Sequence, residues 1–254
     1  MKLKNKVAIV TGSSQSIGKA IALRYAKEGA KVVINYLSNE DLAKEVVKQI
    51  EANGGEAFAF KADVSEESEV EAMVKQTIER FGKVDILVNN AAIDPRKKWN
   101  EISVEEWDRV MAVNVRSQFI CAKAVFPSMQ KQNYGKIINV SSVTFHLGKS
   151  GYVHYVASKG AIIGFTRALS REVGANNITV NCITPGAIYT ETEIEKVGSE
   201  EEQKKTTSFL LNVQAIPERM HAADIEGAFV FFASADSDFI TGQTLNADAG
   251  WVMY

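Results

Sequence analysis

The stretch Lys6-Val-Ala-Ile-Val-Thr11, followed at once by Gly12-Ser-Ser-Gln-Ser-Ile-Gly18, decides how this chain folds. The first run is short, apolar and β-branched, which predicts a buried parallel strand. From Ile17 to Ala26 apolar residues recur at helical spacing, and Gly29 supplies a stop signal. A second strand is predicted over 31–36. Together these elements predict a right-handed βαβ unit with a glycine turn between the first strand and the helix.

The glycine turn predicts a site for a dinucleotide. Gly12 permits a tight turn, Gly18 permits close packing of the helix on the strand, and the helix N-terminus presents amide groups and a positive dipole to a pyrophosphate. A glycine-rich turn by itself is equally compatible with an ordinary loop. Its place between a predicted strand and a predicted helix favours the dinucleotide interpretation.

Strand-like runs continue along the chain and alternate with helical patterns. They fall at 6–11, 31–36, 57–61, 86–89, 136–140, 179–183 and 243–246. Such alternation predicts a parallel sheet covered by helices on both faces. With 254 residues and 46% hydrophobic content, the chain is long enough for one large domain and short for two. We therefore expect an α/β fold in which residues 1–254 form a single Rossmann-type domain, a doubly wound parallel sheet of about seven strands.

Tyr155 and Lys159 form a second informative group, since residues four apart share one face of a helix. A lysine ammonium beside a phenol favours the phenolate, so we expect Lys159 to lower the pKa of Tyr155 from roughly 10 toward neutrality. Taken alone, the pair is more often an ordinary amphipathic pair with a half-buried ring. The nucleotide-binding turn upstream reverses that interpretation and, with Ser142, predicts that Tyr155 is a general acid/base.

These motifs resemble those of the short-chain dehydrogenase/reductase family, and the resemblance runs from about Lys6 to the C-terminus. The family motif Thr-Gly-x-x-x-Gly-x-Gly appears here as Thr11, Gly12, Ser16 and Gly18, and the family motif Asn-Asn-Ala-Gly appears as Asn89, Asn90, Ala91 and Ala92. Two glycines are therefore replaced. The Cβ and hydroxyl of Ser16 either crowd the dinucleotide or donate a hydrogen bond to it, and we expect the change to be tolerated.

The resemblance also implies roles for individual residues. Asp63 and Val64 look like the pair that holds the adenine, and Asn114 matches the asparagine whose backbone holds a water in a proton relay. The expected catalytic residues are Asn114, Ser142, Tyr155 and Lys159. The expected cofactor-binding residues are Gly12, Ser14, Gln15, Ser16, Ile17, Gly18, Asn35, Ser38, Asp63, Val64, Asn90, Ala91, Tyr155, Lys159, Pro185, Gly186, Ile188 and Thr190. Several of these have purely structural alternatives as helix caps or turns.

By this resemblance we expect an NAD(P)-dependent oxidoreductase that transfers a hydride between nicotinamide and a carbonyl or secondary alcohol. Ser142 and Tyr155 are expected to bond the carbonyl oxygen, and Lys159 to bond the nicotinamide ribose. The second strand ends in neither the aspartate of NAD-dependent relatives nor the cation of NADP-dependent ones. Because Ser38 and Asn39 could bond a phosphate, NADP is slightly favoured over NAD.

The substrate is expected to be a small aryl or cyclic ketone or alcohol, bound by Thr144, Phe145, Tyr152 and Tyr189. A helical lid is expected at about 187–217, with an apolar face over the substrate. A 3-oxoacyl-[acyl-carrier-protein] reductase is the alternative enzyme, and Lys131, Arg167 and Arg171 are then candidates for docking the acidic carrier. A non-catalytic dinucleotide-binding redox sensor is the alternative outside enzymes.

Composition narrows the remaining classes of function. With 29 Lys and Arg against 31 Asp and Glu, the net charge is −2, and no basic run favours nucleic acid. Neither the two cysteines nor the three histidines have metal-ligand spacing, so we expect no metal and buried thiols at Cys121 and Cys182. No apolar stretch approaches the roughly 20 residues of a membrane span, and no leader pattern precedes the first strand, so a cytoplasmic protein is expected. The apolar C-terminal region, including Trp251, predicts burial against another subunit. The family resemblance implies that the assembly is a homotetramer.

Overall fold

The computed structural model describes residues 1–191, 193–194 and 198–253. Its seven strands are β1 (Val7–Val10), β2 (Lys31–Tyr36), β3 (Ala57–Lys61), β4 (Ile86–Asn89), β5 (Gly135–Val140), β6 (Ile178–Pro185) and β7 (Thr244–Ala247). They form one sheet in the order β3-β2-β1-β4-β5-β6-β7, and every neighbouring pair is parallel. The Rossmann-type doubly wound sheet expected from the sequence is confirmed. The largest boundary difference is at β6, which continues to Pro185.

Helices connect the strands. They are α1 (Ser16–Lys27), α2 (Glu40–Ala52), α3 (Glu67–Phe81), α4 (Val104–Met111), α5 (Ser117–Gln132), α6 (Val143–Leu147), α7 (Val153–Val173), α8 (Glu200–Val213) and α9 (Ala222–Ala233). A π-helical turn (Ala112–Arg116) joins α4 to α5. Among the described residues, no helix combines the length and apolar character needed to span a bilayer. The expected lid falls on α8 and its approach, but residues 192 and 195–197 lie outside the described part of the chain.

Alternating side chains of the strands build two cores. Ala8 and Val10 of β1 pack on the face covered by α1, α2 and α9, whereas Ile9 packs on the face covered by α3 and α5. Successive side chains of a strand point to opposite faces of the sheet, and both faces are buried. The strands are therefore continuous apolar runs in the sequence. Cys121 and Cys182 are buried free thiols, and burial raises the pKa of each to about 12. The expectation that they act as small buried hydrophobes is confirmed.

An ionic cluster closes the amino edge of the sheet. At the start of β5, Lys136 is 1% exposed and its ammonium lies 2.7 Å from the carboxylate of Asp238. Asp85, just before β4, is equally buried; its carboxylate accepts a hydrogen bond of 2.8 Å from the amide of Val7 and pairs with Lys83 at 3.0 Å. Buried charges of this kind are tolerated because each has an opposite charge or a donor in contact.

Candidate active site

A cavity of about 750 Å³ opens at the carboxyl edge of the sheet, on the side opposite the ionic cluster. The chain leaves β1 toward β2 and β3 but returns on the other side of β1 as β4, so the strand order reverses between β1 and β4. Open α/β sheets bind ligands in the crevice at such a reversal. Residues that follow β1, β4, β5 and β6 line the cavity, including Gly12, Asn90, Ser142 and Gly186.

The glycine turn is packed without room for side chains. Gly12 has a φ of +61°, and a Cβ added there would lie 3.0 Å from the Cα of Ala91. A Cβ on Gly18 would lie 2.3 Å from the carbonyl oxygen of Gly12, so only glycine lets α1 approach the turn this closely. Asn90 fixes the turn from β4, since its side-chain amide donates to the carbonyls of Thr11 at 2.9 Å and Gly12 at 3.0 Å.

Ser16 stands where the family has its middle glycine, and it retains a glycine-like backbone. Its φ is +52°, in the left-handed region that L-residues with a Cβ adopt at a cost of roughly 1–2 kcal/mol. The residue begins α1 and lines the cavity. Ser16 therefore places a hydroxyl at the helix N-terminus while its backbone adopts a conformation that favours glycine.

Asn35 lines the cavity, but its side chain is occupied within the protein. Its Oδ1 accepts from the amide of Gly12 at 3.0 Å, and its Nδ2 donates to the carbonyl of Ala62 at 3.0 Å. The residue is 2% exposed. Asn35 thus ties the end of β2 to the glycine turn and to the segment after β3. Asn35, one of the expected cofactor-binding residues, therefore lines the cavity with an amide that already holds two hydrogen bonds within the protein.

At the other end of the cavity, Asp63 is held by Ser65 and Arg109. One carboxylate oxygen accepts from the amide and hydroxyl of Ser65 at 2.9 and 2.6 Å, and the other lies 3.1 Å from the Arg109 guanidinium. Burial raises the pKa of Asp63, but these hydrogen bonds and the Arg109 charge outweigh it and leave the pKa below its ordinary value. The carboxylate therefore remains ionised as an acceptor. Val64 lines the same end, beside it.

Ser142, Tyr155 and Lys159 come together in this cavity. Ser142 follows β5 and caps α6, and its hydroxyl accepts from the amide of Thr144 at 3.2 Å. Tyr155 and Lys159 lie one turn apart on α7, with the ammonium 5.3 Å from the centre of the tyrosine ring. Lys159 is 2% exposed, and its ammonium donates to the carbonyl of Val140, the last residue of β5, at 2.9 Å.

The electrostatics of this group differ from the sequence-based expectation. Burial raises the pKa of Tyr155, the Asp94 carboxylate adds to that rise, and a hydrogen bond with Ser142 offsets only part of it. The expected lowering of the Tyr155 pKa by Lys159 is therefore wrong for the protein alone. Burial also lowers the pKa of Lys159 to about 8, although the Asp94 charge opposes that change. Desolvation is the largest cause of both shifts, because the fold removes both groups from water.

Asn114 lies behind this group rather than on the cavity wall. It is fully buried in the π-helical turn (Ala112–Arg116), and its side chain exchanges hydrogen bonds of 2.9 Å with the backbone of Ile93. Its Nδ2 also lies 3.0 Å from the hydroxyl of Ser158. The side chain thus joins the segment after β4 to α7, and the role of the Asn114 backbone in a proton relay stays a prediction.

The sequence matches the short chain dehydrogenase family over residues 6–202. The chain belongs to this family. It is 38% identical to a 3-oxoacyl-[acyl-carrier-protein] reductase of Synechocystis sp. over 253 residues, with 99% of each chain covered. It is also 38% identical to a subunit of (2S)-[(R)-hydroxy(phenyl)methyl]succinyl-CoA dehydrogenase of Thauera aromatica over 250 residues, with 98% of each chain covered.

A solved structure supports the same assignment. The crystal structure described as a short-chain alcohol dehydrogenase from Sinorhizobium meliloti superposes with a TM-score of 0.91 at 32% identity, covering 98% of this chain and 97% of that one. The protein is therefore an oxidoreductase of the short-chain dehydrogenase/reductase class that acts on CH–OH groups or carbonyls.

The substrate end of this short-chain dehydrogenase differs in part from the prediction. Thr144 and Tyr152 line the cavity, and the Tyr152 ring centre lies 6.1 Å from that of Tyr155. Phe145 does not line it, because its ring packs on α7 at Gly160. Tyr189 does not line it either: its ring packs against Arg219 and His221 in a second cavity behind α8.

Several residues of the dehydrogenase's cavity were missed by sequence reasoning. They are Arg109, Lys149, Glu193, Thr206 and Trp251. Trp251 was expected at a subunit contact, but its ring meets the ring of Phe209 on α8 at 6.0 Å and lines the cavity. The sequence could have indicated Trp251, because an aromatic residue just after the last strand lies at the carboxyl edge of the sheet. Glu193 and Thr206 fall within the expected lid at about 187–217 but were not singled out there, and no local sequence pattern indicated Arg109 or Lys149.

Proposed function

We propose that this protein is an NAD(P)-dependent dehydrogenase/reductase that interconverts an aryl or cyclic secondary alcohol and its ketone. One observation carries the proposal: Ser142, Tyr155 and Lys159 line the same cavity as a glycine turn that is closed to side chains. The same crevice therefore holds a candidate proton donor and a backbone turn that can accommodate a dinucleotide. The aromatic rings of Tyr152, Phe209 and Trp251 at the substrate end favour a flat, ring-containing substrate.

The lining residues fit a dinucleotide cofactor. The end of the glycine turn and the start of α1 line the cavity at Ser14, Gln15, Ser16 and Ile17, and a helix N-terminus of this kind attracts a pyrophosphate. Asp63 and Val64 would hold the adenine, Lys159 the nicotinamide ribose, and the segment from Pro185 to Thr190 the nicotinamide itself. When bound, the nicotinamide supplies or accepts the hydride.

Tyr155 is the proposed proton donor to the carbonyl oxygen. Because burial raises its pKa, the hydroxyl stays protonated at neutral pH and is ready to donate in the reductive direction. Ser142, which shares a hydrogen bond with it, would bond the same oxygen where negative charge develops. With a pKa of about 8, Lys159 is still mostly cationic at pH 7 and can stabilise the phenolate that forms after transfer.

A 3-oxoacyl-[acyl-carrier-protein] reductase remains the second candidate, favoured by the relative from Synechocystis. The residues suggested for docking a carrier do not favour it. Arg167 lies on α7 twelve residues beyond Tyr155, about 18 Å along the helix axis, and Arg171 lies one turn farther. Lys131 lies near the end of α5. The relative from Thauera is named for an alcohol whose carbon bears a phenyl group, which favours the aryl candidate.

The redox-sensor alternative is disfavoured by the reactive group. A protein that only reports dinucleotide binding needs no hydroxyl pair beside the nicotinamide and no buried ammonium behind it. Ser142, Tyr155 and Lys159 are all present and adjacent. Holding a cation at a burial of 98% costs stability, which is expected only where the cation has a use.

NADP is the proposed preferred cofactor, by a small margin. Leu37, Ser38 and Asn39 line the cavity beyond β2, and no carboxylate there repels a ribose 2′-phosphate. Asn39 donates to the side chain of Gln15 at 3.1 Å, which places two polar groups together at this point. Initial rates with NADPH and NADH at equal concentration test the proposal, and a higher kcat/KM with NADH contradicts it.

A homotetramer is the proposed assembly. Strand β7 is an edge of the sheet, and Phe239 just before it is fully exposed while Leu245 within it is partly exposed. Such edges and apolar side chains are usually covered in the native assembly. Light scattering after size exclusion should give four subunits at micromolar concentration, and Phe239→Glu should reduce that number. A single subunit at that concentration contradicts the proposal.

The reaction itself is tested by an absorbance screen at the nicotinamide band. Purified protein is mixed with NADPH or NADH and a panel of aryl, cyclic and open-chain ketones, together with a 3-oxoacyl thioester. Preference for aryl or cyclic ketones supports the proposal. Consumption of cofactor only with the thioester would instead identify the second candidate.

A further inference from the structure

The mouth of the cavity carries two cations that the proposed reaction does not use. Arg96 follows β4 and Lys149 follows α6, and both line the cavity. A backbone hydrogen bond of 3.1 Å from Lys97 to Gly151 joins the two loops that bear them. The two cations therefore stand on a connected rim, in the same cavity as Ser142 and Tyr155.

Both cations lie against aromatic rings of the cavity wall. The Arg96 guanidinium is 5.3 Å from the ring centre of Tyr152, and the Lys149 ammonium is 5.9 Å from that of Phe209. Arg96 also forms a side-chain hydrogen bond with Tyr152, and because a guanidinium carries five N–H donors, others are available for an anion. Both residues are exposed, so an incoming ligand can reach them from solvent.

Two acidic residues also line this wall. Glu193 pairs with Arg219 at 3.0 Å and both side chains are mostly buried, while the Arg96 charge also acts on Glu193 and opposes the rise in its pKa that burial causes. Asp94 raises the pKa of both Tyr155 and Lys159, so its charge acts at the reacting end of the cavity. A substrate with one negative group meets two positive charges when its carbonyl lies toward Tyr155 and its anion lies toward Arg96 and Lys149.

We propose that Arg96 and Lys149 form a subsite for an oxyanion, so that the preferred substrate is a ring-bearing ketone or alcohol that also carries a carboxylate or phosphate. This inference rests on the proposed function and deepens it. The ring lies between Tyr152, Phe209 and Trp251, and the reacting carbon lies at Tyr155. Since the Tyr152 ring contacts both Arg96 and Tyr155, a substrate of about one ring in length reaches from one to the other.

Three probes of one shape test the subsite: para-acetylbenzoate, para-acetylphenyl phosphate and the neutral para-acetylbenzamide. Affinity is measured by calorimetry with the protein saturated in oxidised cofactor, and kcat/KM is measured separately with reduced cofactor. We expect the preferred anion to exceed the amide about 10-fold or more in both measurements, and the preference to shrink at high salt. The better of the two anions identifies the carboxylate or the phosphate as the native group.

Variants locate the effect. Arg96→Gln combined with Lys149→Gln should bring the anion-to-amide ratio to within about threefold of one. Lys98→Gln removes a cation that is two residues from Arg96, exposed and paired with Glu101, and it should leave the ratio at the wild-type value. An affinity ratio near one in the wild type, or a ratio that the double variant does not change, overturns the subsite. Because affinity is measured without turnover, this result is independent of whether any ketone is reduced.

Discussion

A buried lysine lies near each end of strand β5, Lys136 within the strand and Lys159 on α7, and the two lysines have opposite surroundings. At the amino edge, Lys136 pairs with the Asp238 carboxylate at 2.7 Å. At the carboxyl edge, Lys159 donates to the Val140 carbonyl, lies beside the Tyr155 ring, and has a pKa lowered to about 8 by burial. The charge of Lys136 is therefore compensated by a carboxylate, whereas the charge of Lys159 has only a backbone carbonyl as its hydrogen-bond acceptor within the described part of the chain. The difference separates a structural lysine from a functional one.

Removing the Tyr155 hydroxyl should have the largest effect. Tyr155→Phe is expected to lower kcat by 10²–10⁴-fold, because only the proton donor is lost, while the cofactor dissociation constant changes by less than about threefold. Tyr134→Phe is the matched control at the amino edge, where the Tyr134 hydroxyl is buried with no hydrogen-bond partner among the described residues. Steady-state rates and fluorescence titration measure both. Turnover of Tyr155→Phe within tenfold of wild type removes the proposed mechanism.

The two lysines should respond to the same substitution in opposite ways. Lys159→Met is expected to lower kcat/KM at least 100-fold and to raise the free energy of unfolding by about 1–3 kcal/mol, since it removes a buried charge that lacks a carboxylate. Lys136→Met is expected to lower that free energy by about 1–3 kcal/mol and to keep kcat/KM within about twofold. Urea unfolding and initial rates measure the two quantities. Equal changes in stability and in kcat/KM for the two variants would contradict the distinction between a functional and a structural lysine.

The pH dependence of cofactor binding sharpens the same contrast. Lys159 loses its proton as pH rises through about 8, and a neutral amine binds ribose oxygens more weakly than an ammonium. Affinity for the nicotinamide cofactor should therefore be highest below that pH and fall as pH rises from 7 to 9.5. Fluorescence titration at several pH values measures this change. Lys159→Met should bind more weakly throughout and show a flat profile, and an equally steep profile in that variant contradicts the assignment.

Backbone strain gives the smallest predicted effect. Ser16 at the carboxyl edge and Asn133 before β5 at the amino edge both have a positive φ, of 52° and 53°. Asparagine tolerates this region better than serine, so Ser16→Gly should raise the free energy of unfolding by about 0.5 kcal/mol and Asn133→Gly should change it less. Urea midpoints measure both. A lower midpoint for Ser16→Gly would mean that contacts of its hydroxyl outweigh the strain.

The sheet and the glycine cradle could be predicted because their signals are local. The run before Gly12 is apolar and β-branched, and both faces of its strand are buried, so burial alone specifies the element. Glycine is required at positions 12 and 18 because the neighbouring backbone is too close for a Cβ, and the spacing of these two glycines is visible in the sequence. Tyr155 and Lys159 are brought together by one helical turn. Each of these features depends on residues that are close in sequence.

The substrate end could not be predicted in the same way. Phe145 and Tyr189 were expected there because aromatic residues near the reactive group are plausible lining residues, but their directions are set by Gly160 on α7 and by Arg219. The pKa of Tyr155 was assigned the wrong direction because sequence spacing gives the distance to Lys159 but not the loss of solvent. Desolvation depends on the whole surrounding fold.

Asn35 shows how this protein should be re-engineered for a different dinucleotide. An aspartate introduced at position 35 to select NAD over NADP would lack the Nδ2 donor that bonds the carbonyl of Ala62. The end of β2, the glycine turn and the segment after β3 would then be held together less firmly. Leu37 is half exposed, lines the crevice and has no such duty, which makes it the position at which a carboxylate or a guanidinium can redirect coenzyme choice while the scaffold stays intact.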